Sequence, residues 1–229
     1  MIAAALVNQR EFPGPLAVAN RLIEMTGAGV LLPDLAKTLL RSFAALLLAM
    51  PLGAAVGVAL GRVAELDAIF ASWVTVGLNL PALIIGVLVY IWLGLTDWSL
   101  IIAVALSKVP VVIITIREGT RALDRGFDEL ARVYRLPYLR WLWRIALPQL
   151  LPYVLAAVRN GLGLVWKIVL IFEILGSDRG VGFRIGIMFQ HFDVAGILAY
   201  AAAFVACVLA IDRVLLVPID QRMMRWRLS

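Results

Sequence analysis

The sequence predicts an all-α membrane protein, a polytopic bundle of about five membrane-spanning helices. Hydrophobic residues make up 63% of the 229-residue chain, charged residues make up 16%, and the mean hydropathy is +0.96. This composition excludes an ordinary soluble domain. The apolar residues also fall into segments of about twenty residues, the length that crosses a hydrocarbon core of about 30 Å.

The first 33 residues are predicted to form a separate N-terminal segment before a membrane domain that covers residues 34–229. Met1–Val7 is apolar but too short to span a bilayer, and it lacks the basic start and cleavage site of a secretory signal. From Leu16 to Met25, apolar and polar residues alternate at helical spacing. This pattern predicts a short helix that lies at the membrane surface.

Five later segments are long and apolar enough to be spans. Their predicted bounds are Thr38–Leu60, Ile69–Leu95, Leu100–Ile116, Pro148 or Leu151 to Leu175, and Val194 or Ala195 to Val217. Asn79 and Pro81 interrupt the second segment, because proline removes a backbone donor and disfavours the helical conformation of the residue before it.

A charged segment, Arg117–Pro148, separates the third span from the fourth. It contains seven arginines and four acidic residues, and its apolar residues recur at helical spacing. Pro137 interrupts this pattern, so the segment is predicted to form two short amphipathic helices joined by a tight turn at Leu136–Pro137. It is too polar to cross a bilayer and is expected to bind a partner on one side.

The distribution of arginines predicts the orientation. The charged segment, the tail Arg222–Arg227 and Gly61–Asp67 together hold eleven arginines, whereas Gly176–Asp193 holds two. Positive residues concentrate on the cytoplasmic side, so these three segments and the C-terminus are predicted to be cytoplasmic. The net charge of +6 is explained by this membrane anchoring, and no nucleic-acid partner is predicted.

The sequence contains no pattern that indicates an enzyme. Its single histidine, His191, has no second histidine or cysteine nearby, so no metal site is predicted, and Cys207 is the only cysteine. There is no phosphate-binding glycine loop and no nucleophile elbow. The chain is therefore expected to hydrolyse no ATP by itself and to hold no cofactor.

The charged segment resembles the cytoplasmic EAA loop of permease subunits of bacterial ABC importers. That family has Glu-Ala-Ala, three residues, Gly, nine residues and Ile-x-Leu-Pro. The matching residues are Glu129, Leu130 and Ala131, then Arg135, then Ile145, Ala146, Leu147 and Pro148. Leu130 replaces the second alanine. Arg135 replaces the glycine, a residue that adopts positive φ readily.

Shorter matches are similar to the taurine, sulfonate and nitrate permease group within that family. They are Leu80-Pro81-Ala82 with Tyr90–Gly94, and Glu173–Gly176 with Gly180–Gly182. Members of the group begin with a full membrane helix before a proline-rich turn like Phe12–Pro15. A sixth span is expected if such a helix is missing here.

The resemblance implies a type I importer fold, an inner-membrane location and a set of partners. These are two copies of an ABC ATPase, which hold ATP and Mg²⁺, a second copy of the permease, and a periplasmic or lipid-anchored solute-binding protein. It also assigns ATPase coupling to the loop. The candidate coupling residues are Phe127, Glu129, Leu130, Ala131, Tyr134, Arg135, Ile145, Leu147 and Pro148.

Polar residues inside the spans are candidates for a solute path, because charged groups near a bilayer centre usually face a bundle interior or water. Lys108 and Lys167 would form a cationic lining for an anionic solute, joined by Asn79, Trp166 and Glu173. In the alternative interpretation the two lysines extend to the membrane surface, or they pair with Glu173 or a backbone carbonyl.

Three other functions remain open from the sequence alone. They are a subunit of a secondary transporter, a structural partner in another membrane complex, and a membrane-embedded enzyme. A secondary transporter would show more spans or a repeat, and an enzyme would need clustered His, Asp or Glu. Co-purification with an ATPase separates the importer from all three.

Overall fold

The computed structural model of the chain describes residues 12–123, 126, 133–216 and 218, and every regular element in them is helical. The α-helices are α1 (Pro15–Gly27), α2 (Leu31–Arg62), α3 (Ala64–Asn79), α4 (Ala82–Leu93), α5 (Asp97–Arg121), α6 (Tyr138–Trp141), α7 (Leu147–Gly176), α8 (Val181–Gln190) and α9 (Val194–Ile211). Two π-helical turns, Leu142–Ala146 and Asp212–Leu216, precede α7 and follow α9.

The described helices agree with the five predicted spans. Four segments are long and apolar enough to cross a membrane: α2, α5, Trp143–Gly176, which contains α7, and Val194–Val214, which contains α9. Helices α3 and α4 are together apolar enough for a fifth span, but the pair is bent by 93° at its break, so it is either a broken span or a re-entrant loop. The bend lies at Leu80 and Pro81, because Leu80 is extended and Pro81 has no N–H to continue the helix.

Internal packing divides the chain into two compact units. The first contains the residues up to Phe43, Gly86–Ile101 and the residues from Trp166 onward, and the second contains Ala44–Ile85 and Ile102–Val165. Each unit has its own apolar core. Fully buried core side chains are Leu100, Phe172, Val181 and Tyr200 in the first unit, and Val104, Val112 and Val165 in the second.

In the second unit, α2 packs closely on α5 through three glycines spaced four residues apart. A Cβ atom on Gly57 would lie 2.8 Å from the carbonyl oxygen of Ile113. Cβ atoms on Gly53 and Gly61 would lie 2.6 Å from side-chain carbons of α5. Small residues at this spacing let two membrane helices approach to backbone contact.

In the first unit, α1 occupies the stretch where the short N-terminal helix is predicted, and an ion pair fixes it beside the start of α9. Arg21 Nη2 donates to Asp193 Oδ2 over 2.7 Å. Asp193 also caps α9, since its Oδ1 accepts from the Gly196 amide over 2.9 Å. Burial alone would raise the pKa of the Asp193 carboxyl, but the Gly196 amide and Arg21 hold this pKa below its usual range.

Candidate functional site

The described half of the predicted coupling loop is attached to the end of α2 by a stacked pair. The Arg62 guanidinium lies over the ring of Trp141, 3.7 Å from its centroid. Trp141 is buried and packs with Ala146, and the partly buried side chains of Leu136 and Ile145 border the two. A guanidinium over an indole face is favourable, so Arg62 and Trp141 fix the position of this half of the loop relative to α2.

Arg135 adopts the left-handed backbone conformation that glycine favours, with a φ of 46°. The importer pattern has glycine at this position, and the substitution by arginine has not removed the positive φ. For a residue with a Cβ atom this conformation costs about 1–2 kcal/mol. The turn at this point is therefore retained at the expense of local strain.

Apolar side chains of the loop point to solvent on either side of the buried Trp141. Val133 is 77% exposed, Tyr134 69% and Trp143 64%. Leu147 and Pro148 are also exposed at the start of α7, whereas Ile145 is partly buried. The other predicted coupling residues lie outside the described residues: Phe127, Glu129, Leu130 and Ala131. An exposed apolar cluster on a charged loop is typical of a protein-binding surface.

The two lysines predicted for the solute path lie in different environments. Lys108 is 1% exposed, and its Nζ has no hydrogen-bond partner among the described residues. A Cβ atom on the neighbouring Gly161 would lie 3.4 Å from this Nζ, so the glycine makes room for the ammonium group. Lys108 therefore neither extends to the membrane surface nor pairs with a described group.

Lys167 is exposed on α7. It lies nine residues before the end of this helix at Gly176, which corresponds to about 14 Å along the helix axis. An exposed ammonium group at this depth costs about 2.5–3.5 kcal/mol in lipid. Water, another protein surface or extension of the side chain towards the membrane surface would lower this cost.

The remaining predicted path residues are one exposed amide and two buried side chains. Asn79 is exposed at the break between α3 and α4, and its Nδ2 donates to the Thr75 carbonyl over 2.8 Å. Trp166 is 5% exposed and makes edge-to-face contacts with Phe43 and Phe204, at centroid distances of 5.6 and 6.2 Å. In this structure Trp166 is a core residue of the first unit.

Glu173 is fully buried, and its carboxylate is satisfied by donors. Arg41 Nη1 donates to Oε1 over 2.7 Å, the Gly182 amide donates to Oε2 over 2.9 Å, and the Thr38 hydroxyl lies 2.9 Å from Oε2. Gly180 has a φ of 111°, and a Cβ atom there would lie 2.6 Å from Oε2. The two glycines thus close the loop after α7 over the carboxylate.

A charge network of the first unit, with Arg41 and Glu173 buried and Lys37 and Asp97 partly exposed, was not predicted from the sequence. Arg41 joins Glu173 to Asp97 and donates to the Arg179 carbonyl over 2.7 Å, and Asp97 also pairs with Lys37. A signal was available, because an arginine inside an apolar segment needs a carboxylate at the same depth. Asp97 and Glu173 both stand near the ends of their helices.

A second buried carboxylate, Asp34, extends this polar region. Its Oδ2 accepts from the Tyr200 hydroxyl and from Arg184 Nε, each over 2.9 Å. The described residues contain no group of three or more His, Cys, Asp and Glu side chains that would hold a metal ion. These buried charges are thus paired with one another and connect α2 to α7, α8 and α9.

The pattern of the whole chain matches a protein family described as the binding-protein-dependent transport system inner membrane component, over residues 32–224. The chain belongs to this family. It is thus an inner-membrane, multi-pass transport permease of the ABC type, and the match runs from the first turn of α2 to beyond the end of α9.

Curated relatives and a solved structure agree with this family. A probable ABC transporter permease protein of Brucella abortus (strain 2308) is 26% identical over 215 residues, covering 94% of this chain and 86% of its own. The taurine transport system permease protein of Escherichia coli (strain K12) is 26% identical over 185 residues, covering 79% and 67%.

The fold is that of a type I ABC importer transmembrane subunit. A chain from the crystal structure of an amino acid ABC transporter with histidines superimposes with a TM-score of 0.70, covering 88% of this chain and 97% of that chain. The two sequences are 19% identical, so this likeness concerns the fold.

Proposed function

We propose that this permease is the membrane subunit of an ATP-driven importer for a small anionic solute. In this proposal a solute-binding protein, periplasmic or lipid-anchored, delivers the solute, and a separate ATPase supplies the energy. Two copies of the permease and two of the ATPase form the transporter, and ATP and Mg²⁺ are held by the ATPase.

The observation that carries the proposal is the geometry of the loop between α5 and α7. Trp141 anchors the loop below Arg62, while Val133 and Tyr134 remain exposed. A partner that binds these exposed side chains would transmit its movement to the end of α2 through the anchored residues. Helix-in-groove binding depends on such spaced apolar anchors.

The predicted coupling residues divide into two groups with different tasks. Tyr134 and Arg135 would contact the ATPase, together with four residues outside the described part of the chain: Phe127, Glu129, Leu130 and Ala131. Ile145, Leu147 and Pro148 would join the loop to α7. This arrangement requires the loop and the C-terminus to be cytoplasmic, as the arginine distribution predicts.

The anionic solute is proposed from the charge inside the spans and from the relatives. Taurine, the solute named for the Escherichia coli relative, carries a sulfonate group. Lys167 is an exposed cation on α7 and would lower the electrostatic barrier to such an anion. Asn79 would add an amide donor. Lys108 would contribute if the packing around Gly161 opens, whereas Trp166 and Glu173 would support the path from within the core.

Replacement of Tyr134 by alanine tests the coupling. Loss of a central interface aromatic costs about 2 kcal/mol or more, which is about thirtyfold in ATPase affinity. Trp98→Ala is the matched control, because Trp98 is 73% exposed in the first turn of α5, outside the loop. Retained ATPase, measured by co-purification, should fall for Tyr134→Ala only. Equal retention in the two variants would contradict the role of the loop.

Replacement of Lys167 tests the solute charge. Lys167→Met should lower uptake of a sulfonate into vesicles more than it lowers basal ATP hydrolysis, and Lys167→Arg should retain most uptake because the charge is kept. If Lys167→Met transports the sulfonate normally, the lysine does not line the path.

A further inference from the structure

The segment that leads into the fourth span exposes three residues that neither the coupling nor the solute path uses. Arg140, Trp143 and Arg144 are exposed, and the last two follow Arg140 by three and four residues, so the three lie on one side of this helical segment. Trp141, which stands between them in the sequence, is buried on the other side. Arg140, Trp143 and Arg144 are called the basic patch.

The two guanidinium groups of the basic patch have no acidic partner in the part of the chain that the structure describes. Arg117 and Arg121 of the same unit differ, because both bind the Asp67 carboxylate. A guanidinium group presents parallel N–H donors that fit the oxygens of a carboxylate or a phosphate. Arg140 and Arg144 therefore place two positive charges where an anionic group outside the chain can bind.

The same side of the chain becomes aliphatic as α7 begins. Leu147 follows Trp143 by four residues, Leu151 follows Leu147 by four more, and each leucine is 37% exposed. Leu151 lies about 6 Å beyond Leu147 along the helix axis. The exposed side chains thus change from basic and aromatic to aliphatic, which is also the order from the headgroups of a bilayer to its hydrocarbon.

The length of the span places the basic patch at the level of the headgroups. The apolar segment Trp143–Gly176 contains 34 residues, which corresponds to about 50 Å of helix. The hydrocarbon core is about 30 Å thick, and the bilayer with its headgroups is about 40–45 Å thick. Both ends of the segment therefore reach the headgroups, and Trp143 is its first residue.

We propose that the basic patch binds the phosphate group of an anionic phospholipid. Arg140 and Arg144 donate to the phosphate oxygens, Trp143 lies at the level of the glycerol backbone, and Leu147 contacts the acyl chains. Anionic headgroups attract basic residues at a membrane surface, and tryptophan is enriched at this depth. The inference goes beyond the proposed function, since it requires neither a solute nor an ATPase.

The bound lipid acts on the segment that Arg62 and Trp141 hold from the inside. The Arg62 guanidinium lies over the ring of Trp141, and Trp141 packs with Ala146. The lipid holds the opposite, exposed side of the same segment at the membrane surface. The start of α7 is thus fixed from both sides, by the protein through Trp141 and by the membrane through the basic patch.

An ATPase is the other candidate occupant of this surface, and two observations favour lipid. Leu147 and Leu151 continue the exposed side into the apolar span, which a soluble protein does not enter. The proposed ATPase contact at Tyr134 precedes Pro137, whereas the basic patch begins after this proline. The patch is therefore assigned to the membrane.

Binding of phosphatidylglycerol to the protein, purified from membranes with its bound subunits and followed by native mass spectrometry, tests the site. Arg140→Gln and Arg144→Gln each remove one charge. Arg179→Gln is the matched control, because Arg179 is exposed in the loop at the opposite end of α7. One basic residue at an anionic surface contributes about fivefold in affinity. Each patch variant should therefore bind phosphatidylglycerol about fivefold more weakly, whereas Arg179→Gln should bind it like the wild type. Phosphatidylcholine, which has no net charge, should bind all of them equally.

Tryptophan fluorescence provides a second measurement that does not depend on the arginine variants. The chain has seven tryptophans, so quenching by brominated phosphatidylglycerol is compared between the wild type and Trp143→Phe. The quenched fraction should be smaller in Trp143→Phe, because the residue that lies beside the lipid has been removed. Equal quenching in the two proteins would place Trp143 away from lipid and contradict the proposal.

The remaining outcomes separate lipid from the ATPase. If Arg140→Gln and Arg144→Gln bind phosphatidylglycerol as tightly as the wild type does, the basic patch is not a lipid site and the proposal fails. If these variants lose the ATPase while their lipid affinity is unchanged, the patch belongs to the ATPase contact instead. In both cases the proposed coupling through Tyr134 stands, since its own test does not involve the basic patch.

Discussion

Removal of Arg41 is expected to destabilise the permease more than removal of any exposed arginine. Arg41 has 3% of its side chain exposed and binds Glu173, whose side chain is fully buried. Arg41→Met leaves the Glu173 carboxylate without its counter-charge, although Thr38 and Gly182 still donate to it. Breaking a buried pair by removing one partner costs about 3–5 kcal/mol.

A second substitution determines whether the cost comes from the unpaired charge. In Arg41→Met with Glu173→Gln, the amide oxygen still accepts from Thr38 and Gly182 but the negative charge is gone. The double variant should therefore be more stable than Arg41→Met alone by at least about 1 kcal/mol, within the range that contacting pairs show. Asp97 keeps Lys37 as a partner in both variants.

The assay is unfolding in detergent micelles, followed by circular dichroism as sodium dodecyl sulfate is added. Arg21→Met is the matched control, because Arg21 also binds an aspartate but has 36% of its side chain exposed. Exposed ion pairs contribute about 1 kcal/mol or less. The reasoning is refuted if Arg41→Met costs no more than Arg21→Met, or if the double variant is as unstable as the sum of its two single substitutions.

Three further predictions concern the loop, the α2–α5 contact and α1. Arg135→Gly should raise the free energy of unfolding by about 1 kcal/mol, since glycine adopts the positive φ without strain; a lower melting temperature in detergent would contradict this. Gly57→Leu should cost about 3 kcal/mol or more, because its Cβ meets the Ile113 carbonyl, whereas Gly163→Ala, where a Cβ has open space, should cost much less; thermal denaturation compares the two. Because the pKa of Asp193 is depressed in the folded protein, its charge contributes stability at pH values above about 4, the ordinary carboxyl pKa. Asp193→Asn should remove this contribution. The difference from wild type should shrink as pH falls through that depressed pKa, and a difference that grows in acid would oppose the assignment.

The architecture could be predicted from the sequence because the bilayer restricts which backbone structures can cross it. Spans of about twenty apolar residues must be helices, since backbone groups find no partners in lipid. The break at Asn79 and Pro81 followed from the chemistry of proline alone. The turn at Arg135 was harder to predict, because an arginine gives no local signal for positive φ. The structure nevertheless has a positive φ at this residue.

The candidate site could be predicted only in part, because the exposure of each side chain depends on packing between segments that are distant in the sequence. Lys108 and Lys167 are similar in the sequence, each a cation within an apolar segment. One is buried beside Gly161 and the other is exposed on α7. Likewise the sequence predicts Glu173 as a residue of the solute path, whereas in the structure it pairs with Arg41, which lies 132 residues earlier in the chain. Sequence spacing contains no information about such long-range pairs.

The central claim is that this chain carries solute across the membrane only together with an ATPase that its loop binds. Native mass spectrometry of the complex, purified from membranes through a tag on this chain, measures this most directly. We expect two copies of the chain with two copies of an ABC ATPase, and loss of the ATPase in Tyr134→Ala but not in Trp98→Ala. A chain purified alone, or with membrane partners that include no ATPase, would contradict it.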